Sequence, residues 1–594
     1  MNSSNYNIGS IVSVSGSTVS VHMNKNIHSN IISIEGETYK IGQIGTLLAI
    51  SLGLSTTIAL ITRTGISAVS MEEVENTEME KLIDDHRWVE AVLVGEIQNG
   101  NFERGVSQYP NVGDGVYLVS NDLLKCIYKQ SKDIYPIDIG TINESSGLRA
   151  NLDLNKLISR HCAILGSTGS GKSNAVSILL HQISSKLELK GSRILIIDPH
   201  GEYSETFKNS ANIFKIDPQA GENNEKPLFI PFWALETLSL LEVIGIQLEP
   251  RAYDGLSAKV NEKKEISLDK MGINKLTANY NAPIPYNLYK MWFEIDEEEN
   301  FTCTDRTKPK ETKAYSERGD WETLKKSKFK PAGAGAAPPF LGNSNGGLRR
   351  FADSLWLKMV DPKYNFIFHP GEYKPLGTEG VPQKELYNLI NEWFSGNHKI
   401  TILDLSEAPI DIIPIVTGSI LSFVYESLRI KDQKASGKNA PMLFVLEEAH
   451  IYLSNDTNGI AKTIIRRISK EGRKYGAGLF LISQRAGEID ETVLSQSGTI
   501  IALRMNNLRD RSAISAAIQD DLKSITDLLP ILRTGECIVS GESTIIPLRV
   551  KFDLARFAKS GSDPKVSEQW LKDKPQEADY KQLIKMWRRE SEEK

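Results

Sequence analysis

The chain has 594 residues, enough for roughly three or four domains, with 24% charged residues and a formal net charge of −5. That charge excludes a uniformly basic nucleic-acid coat, although local positive charge along a phosphate path is compatible with such an average. Cys126, Cys162, Cys303 and Cys537 show no CxxC spacing, which excludes a disulfide scaffold or clustered zinc site and suits reduced thiols in a cytosolic protein.

The amino terminus has no charged segment followed by an apolar run, so no signal peptide is expected. Residues 1–140 read as a β domain. The runs 11–14 and 18–21 alternate around Ser15-Gly16-Ser17, a hairpin pattern. Residues 41–61 have the length of a membrane span, but Gly42, Gly45, Gly53 and several hydroxyl residues divide them into barrel-like strands. Residues 71–87 are acidic and read as a surface excursion. Strand character returns at Trp88, and again at Val116 after the turn cluster 109–114. Short strands at close spacing predict a small β-barrel.

From residue 141 to 235 the pattern changes to strand–loop–helix units. The strand 162–165 runs into a glycine-rich loop and a helix, and 193–198 is a buried strand, an order that predicts an α/β core with a parallel sheet. Residues 236–395 break this rhythm. They begin with an amphipathic helix over 234–244. A stretch at 304–330 carries nine Lys/Arg against five Asp/Glu, and a Pro/Gly/Ala linker follows at 331–339. This region reads as a partly helical insertion. Strands resume at 399–404, 442–446, 478–482 and 499–503, making 396–555 the second part of the same core. Residues 556–594 form a charged, helix-prone tail.

Gly166-Ser167-Thr168-Gly169-Ser170-Gly171-Lys172-Ser173 matches G-x-x-x-x-G-K-[ST] directly after a strand and before a helix, the context that a P-loop needs. Backbone N–H groups cradle phosphates there, Lys172 supplies a point charge, and Ser173 offers a hydroxyl to Mg²⁺. The strand 443–446 ends in Glu447-Glu448-Ala449-His450, as in a Walker B element. Glu447 takes the metal side, where many P-loop ATPases carry Asp, and Glu448 orients or deprotonates the attacking water. The strand that starts at Gly478 runs through Ser483 to end in Gln484, which is placed to sense the γ-phosphate. Asp198-Pro199-His200-Gly201-Glu202-Tyr203 puts carboxylates at another strand end, where Asp198 or Glu202 is placed to meet Mg²⁺ or nucleotide. Arg466, Arg467, Lys470, Arg473 and Lys474 form a basic helix. Most of it reads as a solvated face, and Arg473 is the candidate finger for a neighbouring subunit's ATP. Residues 452–462 are a candidate pore loop with Lys462 as its only basic residue.

Several of these motifs, in order, resemble the HerA family of hexameric DNA translocases within the FtsK–HerA group. The resemblance is carried by the segment from Arg160 to Ser173, Asp198–Tyr203, Glu447–His450, Glu471–Leu479 with Ser483-Gln484-Arg485, residues 494–500, and residues 532–543. At the amino terminus, Glu103–Val106 and Pro110–Tyr117 resemble the end of that family's barrel. The resemblance is weakest between 240 and 395. It implies a RecA-like core, a homohexameric ring, and ATP-driven movement along double-stranded DNA through the pore. The residues implied for nucleotide are Gly166 through Ser173, Asn174 and Arg160, and those for Mg²⁺ are Ser173, Glu447 and Asp198. Glu448 is implied as the catalytic carboxylate, Gln484 as the sensor and Arg473 as acting in trans. The family also implies a cytoplasmic location, without membrane, and a separate nuclease or sirtuin-like effector docked on the barrel, in DNA end processing or anti-phage defence. Two other readings remain open: a ring scaffold in which ATP controls assembly of an effector, and a conjugation- or secretion-type motor.

Overall fold

The computed structural model describes residues 6–25, 27, 31–34, 37–66, 87–129, 134–143, 147–218, 225–334, 337–342, 347–431, 433–454, 459–518, 520–555, 566–571, 574 and 576–588. Strands 7–15, 18–23, 47–52, 55–66, 87–98 and 115–118 pair antiparallel in the order 18–23, 7–15, 115–118, 47–52, 55–66, 87–98. The 18–23 strand also pairs with 87–98, which closes a six-stranded barrel. Alternation places Ile11, Val19, Val21, Ile50, Ile61, Val89 and Val116 inside, and each is buried. Residues 41–61 therefore do form barrel strands, with the turn of one hairpin at Gly53. The acidic excursion at 71–87 lies, up to residue 86, outside the described residues.

The second sheet has twelve strands and carries the α/β core. Its central strands are β1 (Cys162–Leu165), β2 (Arg193–Asp198), β3 (Ile400–Asp404), β4 (Met442–Leu446), β5 (Ala477–Ser483) and β6 (Thr499–Leu503). They lie side by side in the order β6-β1-β5-β4-β2-β3, all parallel. Five of the six are buried at every position, as near-continuous apolar runs require when helices cover both faces. β7 (Glu536–Gly541) and β8 (Leu548–Phe552) add antiparallel beyond β6, followed by strands 136–142 and 149–153. The strand 136–142 thus belongs to this sheet and not to the barrel.

Helix α1 (Lys172–Ser184) follows the P-loop. Between residues 236 and 395 lie helices 237–244, 250–271, 288–300, 349–360 and 386–394, with small two-stranded pairs among them. Buried indoles anchor this region with their N–H groups satisfied: Trp233 donates to the Tyr373 carbonyl at 2.8 Å and Trp292 to the Ala352 carbonyl at 2.9 Å. Among the described residues, one helix is long and apolar enough to cross a membrane, Ile410–Arg429. Its main segment, α2 (Ile413–Arg429), instead packs against α3 (Ile460–Glu471).

Gly418 sets that approach, because a Cβ there would lie 2.5 Å from the Ala461 nitrogen. Gly418→Leu is expected to push α2 from α3 and cost about 1–3 kcal/mol. Thermal unfolding checks this, and an unchanged midpoint would refute the packing.

Candidate active site

β1 delivers the chain into a loop whose shape depends on glycine. Gly169 (φ 72°) and Gly171 (φ 99°) adopt left-handed backbone, and a Cβ on Gly166 would lie 2.8 Å from that of Leu503. Neighbouring strands hold the loop through backbone bonds. Gly166 N donates to the Ser483 carbonyl (3.2 Å), Ser167 N to that of Arg504 (3.0 Å), and Gly535 N to that of Ser170 (2.8 Å). α1 begins at Lys172 with no side-chain cap, so its amino end is available to an anion. The Ser170 hydroxyl is buried without a partner. A phosphate-shaped cradle with an orphaned hydroxyl fits a nucleotide polyphosphate.

Two buried carboxylates face this loop. Lys172 Nζ lies 3.4 Å from Glu448 Oε1 and 3.8 Å from Glu447 Oε1. The Tyr203 hydroxyl donates to Glu447 Oε2 at 2.7 Å. Burial pushes the Glu447 carboxyl up to about 8. Burial also acts on Glu448, but the His450 hydrogen bond and the Lys172 charge outweigh it and hold that carboxyl below its ordinary value. Adjacent carboxyls with values driven apart can take different roles, with Glu448 the ionised one suited to accept a proton. Glu448 also has φ 48°, a strained backbone for a residue with a side chain, of the kind found at functional sites. Gln484 Nε2 donates to Glu448 Oε1 at 2.9 Å, and the Thr168 hydroxyl donates to Gln484 Oε1 at 2.7 Å. The amide thus spans the P-loop apex and the carboxylate. His450 Nδ1 lies 3.2 Å from both Glu448 Oε2 and the Ser483 hydroxyl.

The Mg²⁺ side is built differently from the expectation. Both Asp198 oxygens are taken up by backbone N–H groups of His200, Gly201 and Tyr203 at 2.9–3.2 Å, and burial pushes its carboxyl up to about 7. Asp198 shapes the turn. It is Glu202, on that turn, that reaches Ser173, whose hydroxyl donates to Glu202 Oε2 at 3.0 Å. Ser173, Glu202 and Glu447 Oε1, which accepts no hydrogen bond, make a hard oxygen donor set that fits Mg²⁺. The Asn174 side chain turns away from the cradle. Its amide donates to the Asp553 carbonyl and accepts from Ala555 N, both at 2.8 Å.

Arg160 and Arg473 are not brought to this site within one chain. They precede β1 and β5 and so lie at the amino edge of the parallel sheet, opposite the P-loop. Arg160 Nε lies 3.5 Å from Glu542, whereas Arg473 is exposed with no ion pair among the described residues. In the basic helix, Arg466 pairs with Asp490 and Arg467 with Glu426. Lys462 is buried, 3.8 Å from Asp490 and bonded to the Ser454 carbonyl, and residues 455–458 of the candidate pore loop lie outside the described set. The elements bearing the two edge arginines are joined by His161. Its Nδ1 accepts from Leu479 N at 3.1 Å and its ring bonds the Ser469 backbone.

Sequence reasoning passed over Arg504 and Tyr203's hydroxyl. Arg504 immediately follows β6, the same strand-end placement that singled out Gln484. Tyr203 carries no signal, because its partner lies 244 positions away.

A parallel sheet with a P-loop on a central strand, two carboxylates on a nearby strand and a polar residue ending the strand between defines a RecA-like P-loop ATPase. Residues 137–424 match the family described as helicase HerA, central domain. The DNA double-strand break repair helicase HerA of Sulfolobus acidocaldarius is 30% identical over 474 residues, which cover 79% of this chain and 78% of that protein. The protein of the same description from Sulfurisphaera tokodaii is 28% identical, with 80% of each chain covered. Among solved structures, VirB4 of Thermoanaerobacter pseudethanolicus aligns at 16% identity over 71% of this chain and 96% of that one, with a TM-score of 0.45. The chain belongs to the HerA helicase family.

Two outcomes follow from this geometry. Glu448→Gln is expected to keep nucleotide binding and lose turnover by about 100-fold or more, the scale of a removed general base. Parallel measurement of binding and phosphate release checks it, and retained turnover would overturn the assignment. The second concerns His161, whose ring burial pushes down to about 4. The unfolded ring titrates near 6.5, so the unfolded chain takes up the proton first. The stability it contributes is complete above about 6.5 and is lost as pH falls through about 4, roughly 3 kcal/mol in all. Unfolding midpoints of the wild type and His161→Asn, followed from pH 7 to 4, should converge; a constant gap would refute it.

Proposed function

We propose that this chain is the subunit of a cytoplasmic homohexameric ring that uses ATP and Mg²⁺ to move along double-stranded DNA. The observation that carries the ring is the division of the arginines. The P-loop, Glu448 and Gln484 occupy the carboxyl edge of the sheet, while Arg160 and the exposed Arg473 occupy the amino edge. An arginine placed there meets a nucleotide only when a second copy docks edge to edge, where it would offset charge on the transferring phosphoryl group. DNA as the track is supported by the relatives named as DNA repair helicases. In this reading Lys172 and Ser173 hold nucleotide and metal, Glu447 and Glu202 complete the metal side, and Glu448 activates water. The sequence carries no recognisable nuclease or NAD-cleaving constellation of its own. The reading therefore gives the ring a separate nuclease or sirtuin-like effector docked on the barrel, in DNA end processing or anti-phage defence.

Mixing two inactive variants tests the shared site. Lys172→Ala and Arg473→Ala are each expected to abolish DNA-stimulated hydrolysis. A mixture should recover part of it, because some interfaces then pair an intact P-loop with an intact arginine. No recovery, or a mass that stays at one 66.1 kDa chain under every nucleotide condition, would refute the ring.

A further inference from the structure

β5 and β6 flank the P-loop strand on its two sides, with Leu165 of β1 opposite Ser483 of β5 and Ala502 of β6. The first two loop nitrogens are held by carbonyls from these two sides, Gly166 by Ser483 and Ser167 by Arg504. The residue leaving each strand therefore stands beside the loop apex. On the β5 side this is Gln484, bonded to Thr168. On the β6 side it is Arg504, whose Nη2 lies 3.4 Å from the Gly169 carbonyl, an oxygen that the Thr534 hydroxyl also approaches at 3.4 Å. Arg504 is half-buried, and no carboxylate among the described residues pairs with it. A guanidinium has five N–H donors, and one long bond to a carbonyl leaves most of them uncommitted.

We propose that Arg504 is a nucleotide-binding residue of its own chain, contacting the polyphosphate from the flank of the P-loop opposite Gln484 and Glu448. The proposal rests on the reading of Gly166–Ser173 as the nucleotide site. Lys172 lies 3.4 Å from the ionised Glu448, so the loop's own cation is partly neutralised before a ligand arrives. A polyphosphate brings several negative charges, and Arg504 is a cation at the loop apex that no carboxylate among the described residues offsets. Its planar fork suits phosphate oxygens, and a charged hydrogen bond there strengthens binding of ATP and ADP alike. This role differs from that given to Arg473, which acts across a subunit interface on the transition state.

Substitution isolates the side chain cleanly, because the bonds that anchor Ser167, its N–H at 3.0 Å and its hydroxyl at 2.9 Å, go to the Arg504 backbone carbonyl, which any residue supplies. Arg504→Lys keeps the charge, while Arg504→Gln keeps a donor for Gly169 and removes the charge. Binding of fluorescent ATP and ADP analogues to the full-length chain, with steady-state hydrolysis, reads the difference. Arg504→Gln is expected to raise Kd for both nucleotides about tenfold, the worth of one charge-assisted hydrogen bond. KM should rise more than kcat falls, the gap should narrow at high salt, and Arg504→Lys should recover most of the loss. Wild-type affinity in Arg504→Gln would overturn the proposal. So would equal rescue by Gln and Lys, which would mark the side chain as a neutral brace for Gly169. Lys172→Ala separates the two levels: if it binds nucleotide normally the P-loop reading fails, whereas its loss beside an unaffected Arg504→Gln defeats only the assignment of Arg504.

Discussion

One buried cation between two adjacent carboxylates organises the ATPase core. Lys172 sits 3.4 Å from Glu448 and 3.8 Å from Glu447 in a site with little access to water. Removing each ion from solvent costs several kcal/mol, so three full charges would be expensive to hold there. The structure lowers that cost by treating the two acids differently. Burial, with Tyr203 as its partner, leaves Glu447 close to neutral, while His450 and Lys172 keep Glu448 charged. A divalent cation would reverse the first of these, because its charge favours the ionised carboxylate. The bonds that restrain Glu448 are those that a bound nucleotide would rearrange, since phosphate competes for Lys172 and Thr168.

Sheet direction governs everything else about the site. Parallel strands place all their exits on one edge, and that edge receives the P-loop, the Asp198–Tyr203 turn, the Glu447–His450 turn, Gln484 and Arg504. The entries receive Arg160 and Arg473. At about 3.3 Å per residue, strands of this length keep the two edges more than 10 Å apart, and no side-chain rotation closes that gap. His161 ties β1, β5 and the end of α3 together at the amino edge.

How much of this was legible in the chain follows from the range of each interaction. The barrel strands, the parallel core strands and the P-loop were readable because alternation, apolar runs and glycine spacing are properties of neighbouring residues. Gln484 was readable as the residue that ends an apolar strand. Arg504 has the same placement after β6 and was passed over. The part played by Asn174 was not readable, because the amide belongs to the P-loop helix in sequence yet binds backbone at Asp553 and Ala555.

By itself the sequence determined the phosphate cradle, the two carboxylates after β4 and the alternation of strand and helix that makes a parallel sheet. Each depends on local geometry: left-handed glycines, a strand that ends, a helix that begins. Tertiary structure alone decided that Glu202 and not Asp198 stands at Ser173, that Arg504 flanks the loop, and that Arg160 and Arg473 lie across the sheet from it. Those outcomes depend on the order and register of strands distant in the sequence, as when Leu165 comes to lie between Ser483 and Ala502. Register is set by packing of whole buried faces, and no short run of residues encodes it.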